Sequence, residues 1–399
     1  FKFKMFKESF LQSFSPQSHQ FKCFALFGMA TLIFIWYSTV MHDTECFEIK
    51  WPKNGQKNGE NLDKQNVEKE KHNDWSKMCK VNQTEEENER LFPRDFDKYL
   101  FATWGGLCGG IGNQMWRFAS LYGIGKPYGR KPIFKEDQKC EKAHGAHETE
   151  GENEIEKLFP VYASQIKYIN PKEMENDTFY VQEFAPGCCS YEDPQKRAIS
   201  RIKEKYIKID GYYFQSYKFF ENRRTEIRQI FQFGHELCET VGTYKSELFQ
   251  DDHSHKFCVH VRIEDFKNFG IETKKDFTEQ GIEFGFHHLK KKFNDISVVL
   301  MGVEKEFLNN LAINRQLIPK VYLPKEMSRG NDLAFATTAC DSLLITAQSS
   351  TFSWWIAYLM PDDATIFYNS KFEGTPYLRE NFLAEWKPIK LTNGTMTFD

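Results

Sequence analysis

The sequence predicts an α/β fold built on parallel β-sheet. In its second half, short apolar runs such as 298–301 and 343–345 alternate with longer segments, such as 277–293, whose apolar residues recur at helical spacing. This alternation is typical of βαβ units, which place their strands in a parallel sheet. Several of these strands lead directly into polar residues, and ligands of open α/β sheets bind just beyond the carboxyl ends of strands.

Composition allows a large folded region. The chain has 399 residues, of which 40% are hydrophobic and 16% aromatic, and a formal net charge of -3. This length permits two or three domains. The near-neutral charge gives no electrostatic reason to expect a nucleic-acid partner.

An uncharged apolar segment at 24–41 predicts a membrane anchor, because it is just long enough to cross a bilayer core. Lysines precede the segment and acidic residues follow it. The positive-inside rule then makes 1–23 a cytoplasmic tail and places everything after 41 in a lumen. A cleaved signal peptide is the alternative, but the lead is long and polar and no small-residue cleavage site follows.

Residues 42–95 are rich in Lys, Glu, Asn and Gln, and are expected to form a flexible lumenal stem. A lumenal location makes the sequons at Asn82, Asn176 and Asn393 usable for N-glycosylation. Several cysteines should pair there, although the sequence does not give the connectivity, and Cys46 could join two chains into a homodimer. No Cys-x-x-Cys or His-x-x-x-His spacing occurs, so no structural zinc is expected.

The first predicted half of the folded region, 96–250, opens with a glycine-rich segment before a helical pattern. Gly110, Gly112, Asn113 and Gln114 lie at the expected helix start, where free amides favour an anion. A tight strand-to-helix turn is the alternative. A second strand is predicted from Tyr206 and is broken by Gly211; Gln215 follows it and joins the four residues above as a possible cleft residue. A helix is predicted at 219–231.

The second predicted half, 251–390, contains a strand at 257–261 that leads into His260, Arg262, Glu264 and Asp265. A guanidinium at a strand end offers a planar fork that fits a phosphate, so we expect Arg262 to hold a diphosphate. A solvated strand end is the alternative. The other elements predicted here are strands at 298–301, 321–323, 343–345 and 365–368, the last of the chain, and helices at 277–293, 304–312, 332–339 and 352–359.

Ser349, Ser350 and Thr351 follow a buried strand and precede a helix, as helix-capping residues do. Their amides and hydroxyls could also cradle an anion. If both strands belong to one sheet, one diphosphate could meet these residues and Arg262 together. Asp332, at the predicted start of its helix, could cap that helix or accept hydrogen bonds from a purine.

Four motifs carry a resemblance to a known family. They are Gly-Gly-Ile-Gly-Asn-Gln-Met at 109–115, Gly-Tyr-Tyr-Phe-Gln-Ser at 211–216, His-Val-Arg-Ile-Glu-Asp at 260–265 and Ser-Ser-Thr-Phe-Ser-Trp-Trp at 349–355. In this order they resemble the inverting α1,2-fucosyltransferases of glycosyltransferase family 11, in the form expanded in nematodes. The resemblance covers roughly residues 100 to 390.

The resemblance implies a GT-B fold, with two Rossmann-like halves and a cleft between them. It implies GDP-fucose as donor, a terminal β-galactoside as acceptor, no metal or other cofactor, and a single-pass type II protein of the Golgi membrane. By position, Arg262 would bind the β-phosphate, His260 and Asp332 would face the guanosine, and Ser350 and Thr351 would contact phosphate. The acidic pair at 362–363 is interpreted as a turn rather than as a metal site.

The chain departs from the family pattern at two positions. Ile263 replaces a second arginine and Glu264 replaces a glycine, so one cation is lost and one acid is gained beside the expected diphosphate. Glu264 and Asp265 are the candidates for the catalytic base. Two alternatives therefore stay open: a GDP-fucose-dependent transferase with another linkage or a protein acceptor, and a catalytically silent, membrane-tethered glycan-binding paralogue.

Overall fold

The computed structural model describes residues 78–79, 84–102, 109–136, 154–211 and 213–399, all of which belong to one compact unit, Asp63–Asp399. The predicted membrane segment, most of the predicted stem and the sequon at Asn82 lie outside these residues. Within the described ranges, no helix combines the length and the apolar character that crossing a bilayer requires.

The elements alternate along the chain as the sequence predicts. The strands are β1 (Lys98–Ala102), β2 (Arg130–Pro132), β3 (Phe134–Lys135), β4 (Tyr168–Ile169), β5 (Thr178–Val181), β6 (Tyr206–Ile209), β7 (His255–His260), β8 (Ile296–Met301), β9 (Val321–Tyr322), β10 (Ser342–Ile345), β11 (Thr365–Asn369), β12 (Lys387–Thr392) and β13 (Thr395–Phe398). The α-helices are α1 (Glu85–Leu91), α2 (Ile111–Gly125), α3 (Glu154–Leu158), α4 (Pro160–Gln165), α5 (Pro171–Met174), α6 (Arg224–Ile230), α7 (His235–Phe249), α8 (Lys275–Lys290), α9 (Lys305–Asn309), α10 (Arg329–Ala339) and α11 (Thr351–Leu359).

Two larger, mainly parallel sheets organise the described residues, and β3 pairs with β4 in a third, two-stranded parallel sheet, which confirms the α/β prediction. The first sheet has the order β2-β1-β6-β5, and all of its pairs are parallel. The second has the order β13-β12-β11-β10-β7-β8-β9, parallel except for the hairpin of β12 with β13. From β7 onward, the six parallel strands are arranged in the doubly wound order 3-2-1-4-5-6.

Four predicted elements differ from the structure. The helix predicted at 304–312 is shorter and spans only Lys305–Asn309. The predicted last strand is not the last, because β12 and β13 continue the sheet and meet at Asn393 and Gly394, both with positive φ. The predicted helix at 219–231 is shorter: 3₁₀ turns precede α6, and non-helical φ/ψ at Asn222 separates them from it. The helix predicted at 332–339 begins at Arg329 and is capped by Ser328, not by Asp332.

The end of the predicted stem is folded. Leu91 and Phe92 are buried, and Cys79 forms a disulfide with Cys238 of α7. Packed residues therefore begin before the predicted stem boundary at Asp95. The division of the folded region at 250 stays a prediction.

One apolar cluster contacts both sheets. Trp116 of α2 packs against Trp354 and Trp355 of α11, with ring centroids 4.1 Å and 5.4 Å apart. The Trp355 indole N–H donates to the Gly112 carbonyl oxygen at 3.0 Å. The start of α2 and the start of α11 are thereby fixed against each other.

Candidate functional site

The candidate site lies where the strand order of the second sheet reverses. β7 and β10 are adjacent and parallel there, with His260 opposite Ile345. β7 leads into Arg262, and β10 leads into Ser349 through Thr351. The predicted sharing of one sheet edge by these two segments is confirmed, and such a reversal is where doubly wound sheets bind their ligands.

Arg262 is half-buried, and hydrogen bonds fix both its backbone and its side chain. Its N–H donates to Thr273 Oγ1 at 2.9 Å, and its Nε donates to Asp265 Oδ1 at 2.9 Å. The guanidinium carbon lies 5.7 Å from the centre of the Phe266 ring. No described residue bonds its Nη groups, which leaves one edge of the fork able to bind an anion.

A relay of hydroxyls fixes the strand end that carries Arg262. Thr346 Oγ1 donates to the His260 carbonyl oxygen at 2.7 Å, so the proton between Thr346 and Thr273 (Oγ1 to Oγ1, 2.7 Å) comes from Thr273. Thr273 in turn accepts from the Arg262 N–H. Every donor in the relay has an acceptor, which favours one geometry.

Glu304 is a site residue that the sequence reasoning missed. Its Oε1 accepts the backbone N–H groups of Ile263 at 2.7 Å and Glu264 at 3.0 Å, the two residues directly after Arg262. Its Oε2 is buried and has no hydrogen-bond partner among the described residues. Glu304 follows β8, the neighbour of β7, so the strand-end rule that singled out Arg262 could have found it.

The two departures from the family pattern lie in different surroundings. Ile263 is only 6% exposed, so its side chain lies inside the fold. Glu264 and Asp265 are exposed, and Asp265 is bonded to Arg262. The arginine therefore has one acidic partner already, and Glu264 adds a second carboxylate at the surface beside it.

The other side of the site is the N-terminus of α11. Ser350 caps the helix by accepting the Ser353 N–H at 3.2 Å. Ser349 is nine-tenths buried, and its hydroxyl finds no partner in the described part of the chain. Thr351 is the first helical residue. An unpartnered hydroxyl beside free helix amides is an arrangement that can receive an anion.

His260 lies between these two sides and is uncharged. Its Nδ1 is 2.8 Å from Ser353 Oγ, and its ring lies 5.4 Å from that of Phe352. Burial, together with the nearby positive charge of Arg262, lowers the pKa of His260 to about 3. At neutral pH the imidazole is therefore a neutral donor and acceptor and adds no positive charge.

The glycine-rich segment meets α11 directly. A Cβ on Gly112 would lie 2.6 Å from Thr351 Oγ1 and 2.9 Å from the Thr351 carbonyl carbon, so only glycine permits this approach. Gly110 is the N-cap of α2. The predicted helix start is confirmed, and it places the N-termini of α2 and α11 side by side.

Three amide side chains complete this wall. Asn113 Oδ1 accepts from Gln215 Nε2 at 2.8 Å. Gln114 is buried on the same helix. Asn113 and Gln215, both named from the sequence as possible cleft residues, are thus in contact although 102 positions separate them in the chain; that they line a cleft stays a prediction.

The remaining predicted residues lie elsewhere. Asp332 is on the first turns of α10, which packs against α11. Asp362, in a turn after α11, accepts hydrogen bonds from Arg228, so the interpretation of the acidic pair as a turn is correct. Asn176 and Asn393 are exposed. The described residues contain no cluster of three or more His, Cys, Asp or Glu side chains arranged for a metal ion.

Two named proteins of Caenorhabditis elegans resemble this chain over most of its length. Both are called galactoside 2-alpha-L-fucosyltransferase and are 28% identical to it. One match covers 313 residues, 71% of this chain and 75% of the relative; the other covers 327 residues, 80% and 85%. No protein-family model matches the chain.

Solved fucosyltransferase structures resemble it more distantly. Fucosyltransferase NodZ from Bradyrhizobium gives a TM-score of 0.42 at 14% identity, covering 76% of this chain and 98% of that one. FUT1 of Arabidopsis thaliana in complex with GDP gives 0.44 at 13% identity, covering 82% and 79%. The resemblance carried by the four motifs is confirmed by the curated relatives: this chain is homologous to nematode proteins named galactoside 2-alpha-L-fucosyltransferases.

Proposed function

We propose that this protein transfers L-fucose from GDP-fucose to the 2-hydroxyl of a terminal galactoside, with inversion at the anomeric carbon. The observation that carries the proposal is the pairing of β7 with β10, which places Arg262 and the capped start of α11 at one sheet edge. The names of the curated relatives support the choice of sugar and acceptor. We also propose the GT-B arrangement, with the second sheet on the donor side.

Arg262 and the start of α11 would stabilise the departing GDP. As the bond to fucose breaks, negative charge grows on the diphosphate, and fixed donors lower the free energy of that state. The unpaired edge of the Arg262 fork, the Ser349 hydroxyl and the free amides of α11 are such donors. Ile263 takes the place of the family's second arginine and is buried, so Arg262 alone would make the cationic contact proposed for that arginine pair.

The base that removes the acceptor proton is proposed to be one of two exposed carboxylates. Asp265 is bonded to Arg262, so it orients the fork whether or not it also takes a proton. Glu264 lies next to it on the same loop. Glu264→Gln and Asp265→Asn are compared at saturating GDP-fucose, where loss of the base lowers kcat. The effect of Asp265→Asn on the orientation of Arg262 is measured separately, as weaker GDP binding.

A lumenal location is proposed with the function. The charge pattern around 24–41 supports a type II anchor in the Golgi membrane, and Asn176 and Asn393 are exposed as glycan acceptors should be. Three disulfides occur among the described residues, Cys79–Cys238, Cys188–Cys189 and Cys258–Cys340, as suits an oxidising compartment. We propose that GDP-fucose is used without a metal or other cofactor, and that Cys46 joins two chains into a homodimer.

The test is fucosyl transfer by the full chain, produced in a secretory host, from GDP-fucose to phenyl β-D-galactoside, with the product linkage determined by NMR. Arg262→Ala should weaken GDP binding by about tenfold or more, because a hydrogen bond to a charged group contributes about 1.5–3 kcal/mol. Arg315→Ala, at an exposed arginine in a loop, is the matched control.

Each result of this test distinguishes one functional hypothesis from the others. A 2-linked product supports the proposal. A product with another linkage would show that the enzyme fucosylates a different hydroxyl of the acceptor. GDP binding with no transfer to any galactoside or protein acceptor supports the silent paralogue. A protein that GDP does not stabilise against heating, whether or not Arg262 is present, would refute the donor site.

A further inference from the structure

Strained backbone is concentrated at the carboxyl ends of β5 and β6 in the first sheet. Glu183 and Ala185, in the loop after β5, have φ of 51° and 45°. Tyr213 and Phe214, in the loop after β6, have φ of 41° and 55°. Non-glycine residues reach these angles only when their surroundings impose them, and such residues cluster at functional sites.

A hydrogen bond from the loop after β6 to a pair of adjacent, disulfide-bonded cysteines in the loop after β5 holds these two loops together. Cys188 and Cys189 are bonded to each other in the loop after β5. The Cys188 carbonyl oxygen accepts the Gln215 N–H at 3.0 Å, and the Cys189 carbonyl oxygen accepts from Asn381 Nδ2 at 2.7 Å. The small ring closed by the disulfide restricts the peptide between the two carbonyls, so it fixes where both acceptors lie.

Hydrogen bonds connect Gln215, in turn, to Asn113. Tyr377 donates its hydroxyl to Gln215 Oε1, and burial raises the pKa of Tyr377 well above its usual value, so the donor stays protonated. Gln215 Nε2 then donates to Asn113 Oδ1 at 2.8 Å. The side-chain oxygen of Asn113 is occupied by this bond. Its side-chain N–H groups donate to no described residue, and the side chain is partly exposed, so these donors are available to a ligand.

The position of Asn113 indicates what those N–H groups meet. Asn113 lies on the first turn of α2, directly after Gly112, which contacts Thr351 at the proposed donor site. Amide N–H groups suit sugar hydroxyls, whereas the cation suited to the diphosphate, Arg262, lies across the site on the loop after β7. None of the side chains in the network is charged.

We propose that the Cys188–Cys189 disulfide and Gln215 are positioning elements that hold Asn113 against the sugars of the reaction and not against the nucleotide. This inference rests on the proposed function. It assigns a role in fucosyl transfer to a disulfide that touches no substrate itself.

Two independent variants test it: the double substitution Cys188→Ser with Cys189→Ser, and Tyr377→Phe, which removes only the hydroxyl that holds Gln215. Each should lower kcat/KM for transfer to phenyl β-D-galactoside by about fivefold or more, the effect of one hydrogen bond. GDP affinity, measured by calorimetry, should stay within about twofold of wild type. The matched control is Cys79→Ser with Cys238→Ser, which removes a disulfide that shares no residue with this network.

The outcomes are distinct. Unchanged kcat/KM in both variants, or a parallel fall in GDP affinity, overturns the inference and leaves the proposed function standing. So does peptide mapping of the unreduced protein that finds free thiols, or bonds to other cysteines, at Cys188 and Cys189. A wild-type protein that binds GDP but transfers no fucose overturns the proposed function and this inference together.

Discussion

Replacing Glu304 with alanine should loosen the loop that carries Arg262. Glu304 Oε1 is the acceptor for the N–H groups of Ile263 and Glu264, at 2.7 Å and 3.0 Å. Ile263 is only 6% exposed, so its N–H would be left without water or a side chain to bond. Glu264 is exposed, so water can replace the second bond.

The size of the effect follows from these surroundings. A backbone hydrogen bond to a charged acceptor contributes about 1.5–3 kcal/mol, and leaving a buried donor unsatisfied costs a similar amount. If the whole of that free energy orders the Arg262 loop, Glu304→Ala should weaken GDP binding by about tenfold to a hundredfold.

Isothermal titration calorimetry with GDP measures this loss of affinity, and two further variants serve as controls. Glu304→Gln keeps an acceptor oxygen, so its GDP affinity should stay within about threefold of wild type, as expected when a neutral acceptor replaces a charged one. Glu306→Ala removes an exposed carboxylate from α9, which begins directly after Glu304, and should not change GDP affinity. Wild-type GDP affinity in Glu304→Ala would show that the loop is ordered without this carboxylate.

Two further predictions concern stability. Gly112→Ala places a Cβ 2.9 Å from the Thr351 backbone, so it should lower the free energy of unfolding by about 1–3 kcal/mol, whereas Gly242→Ala, with open space around the Cβ, should raise it by up to about 1 kcal/mol; equal effects in urea unfolding would contradict this. Burial lowers the pKa values of His255 and His260 to about 4 and about 3. Below the ordinary histidine pKa of 6.5, the unfolded chain therefore binds protons at these two rings while the folded chain does not. As the pH falls from 6.5 towards the pKa of each folded-state ring, the free energy of unfolding should drop by about 1.4 kcal/mol per pH unit for each histidine. His255→Gln should reduce that slope in urea unfolding measured at several pH values; an unchanged slope would mean that this ring titrates alike in both states.

The second sheet was predictable because its strands are buried on both faces. The runs at 298–301 and 343–345 are continuously apolar, and the structure places them in β8 and β10. Parallel strands end at one edge, so polar residues just after them could be grouped without knowing the strand order. The adjacency of β7 and β10, which brings Arg262 beside the start of α11, needed the structure.

The parts that the sequence did not predict depend on long-range pairing or on weak local patterns. α7 was missed because only Val241 and Phe249 of its residues are buried, so it carries little apolar periodicity. The partner of Cys79 lies 159 positions away. Glu304 reaches Ile263 across 41 positions; its place just after β8 could be read from the sequence, but its contact with Ile263 depends on the pairing of β7 with β8.

The contact between α2 and α11 explains why the start of α2 contains glycine. The tight approach of Gly112 to Thr351 and the indole bond from Trp355 to the Gly112 carbonyl join the first sheet's helix to the second sheet's site. Around them the Trp116, Trp354 and Trp355 rings are almost fully buried, and a densely packed interior does not deform gradually. The wall that carries Asn113 and the wall that carries Arg262 are therefore set at a fixed separation before any ligand arrives. In such a site the donors are in place as the leaving group's charge develops, which is the condition under which they lower the barrier most.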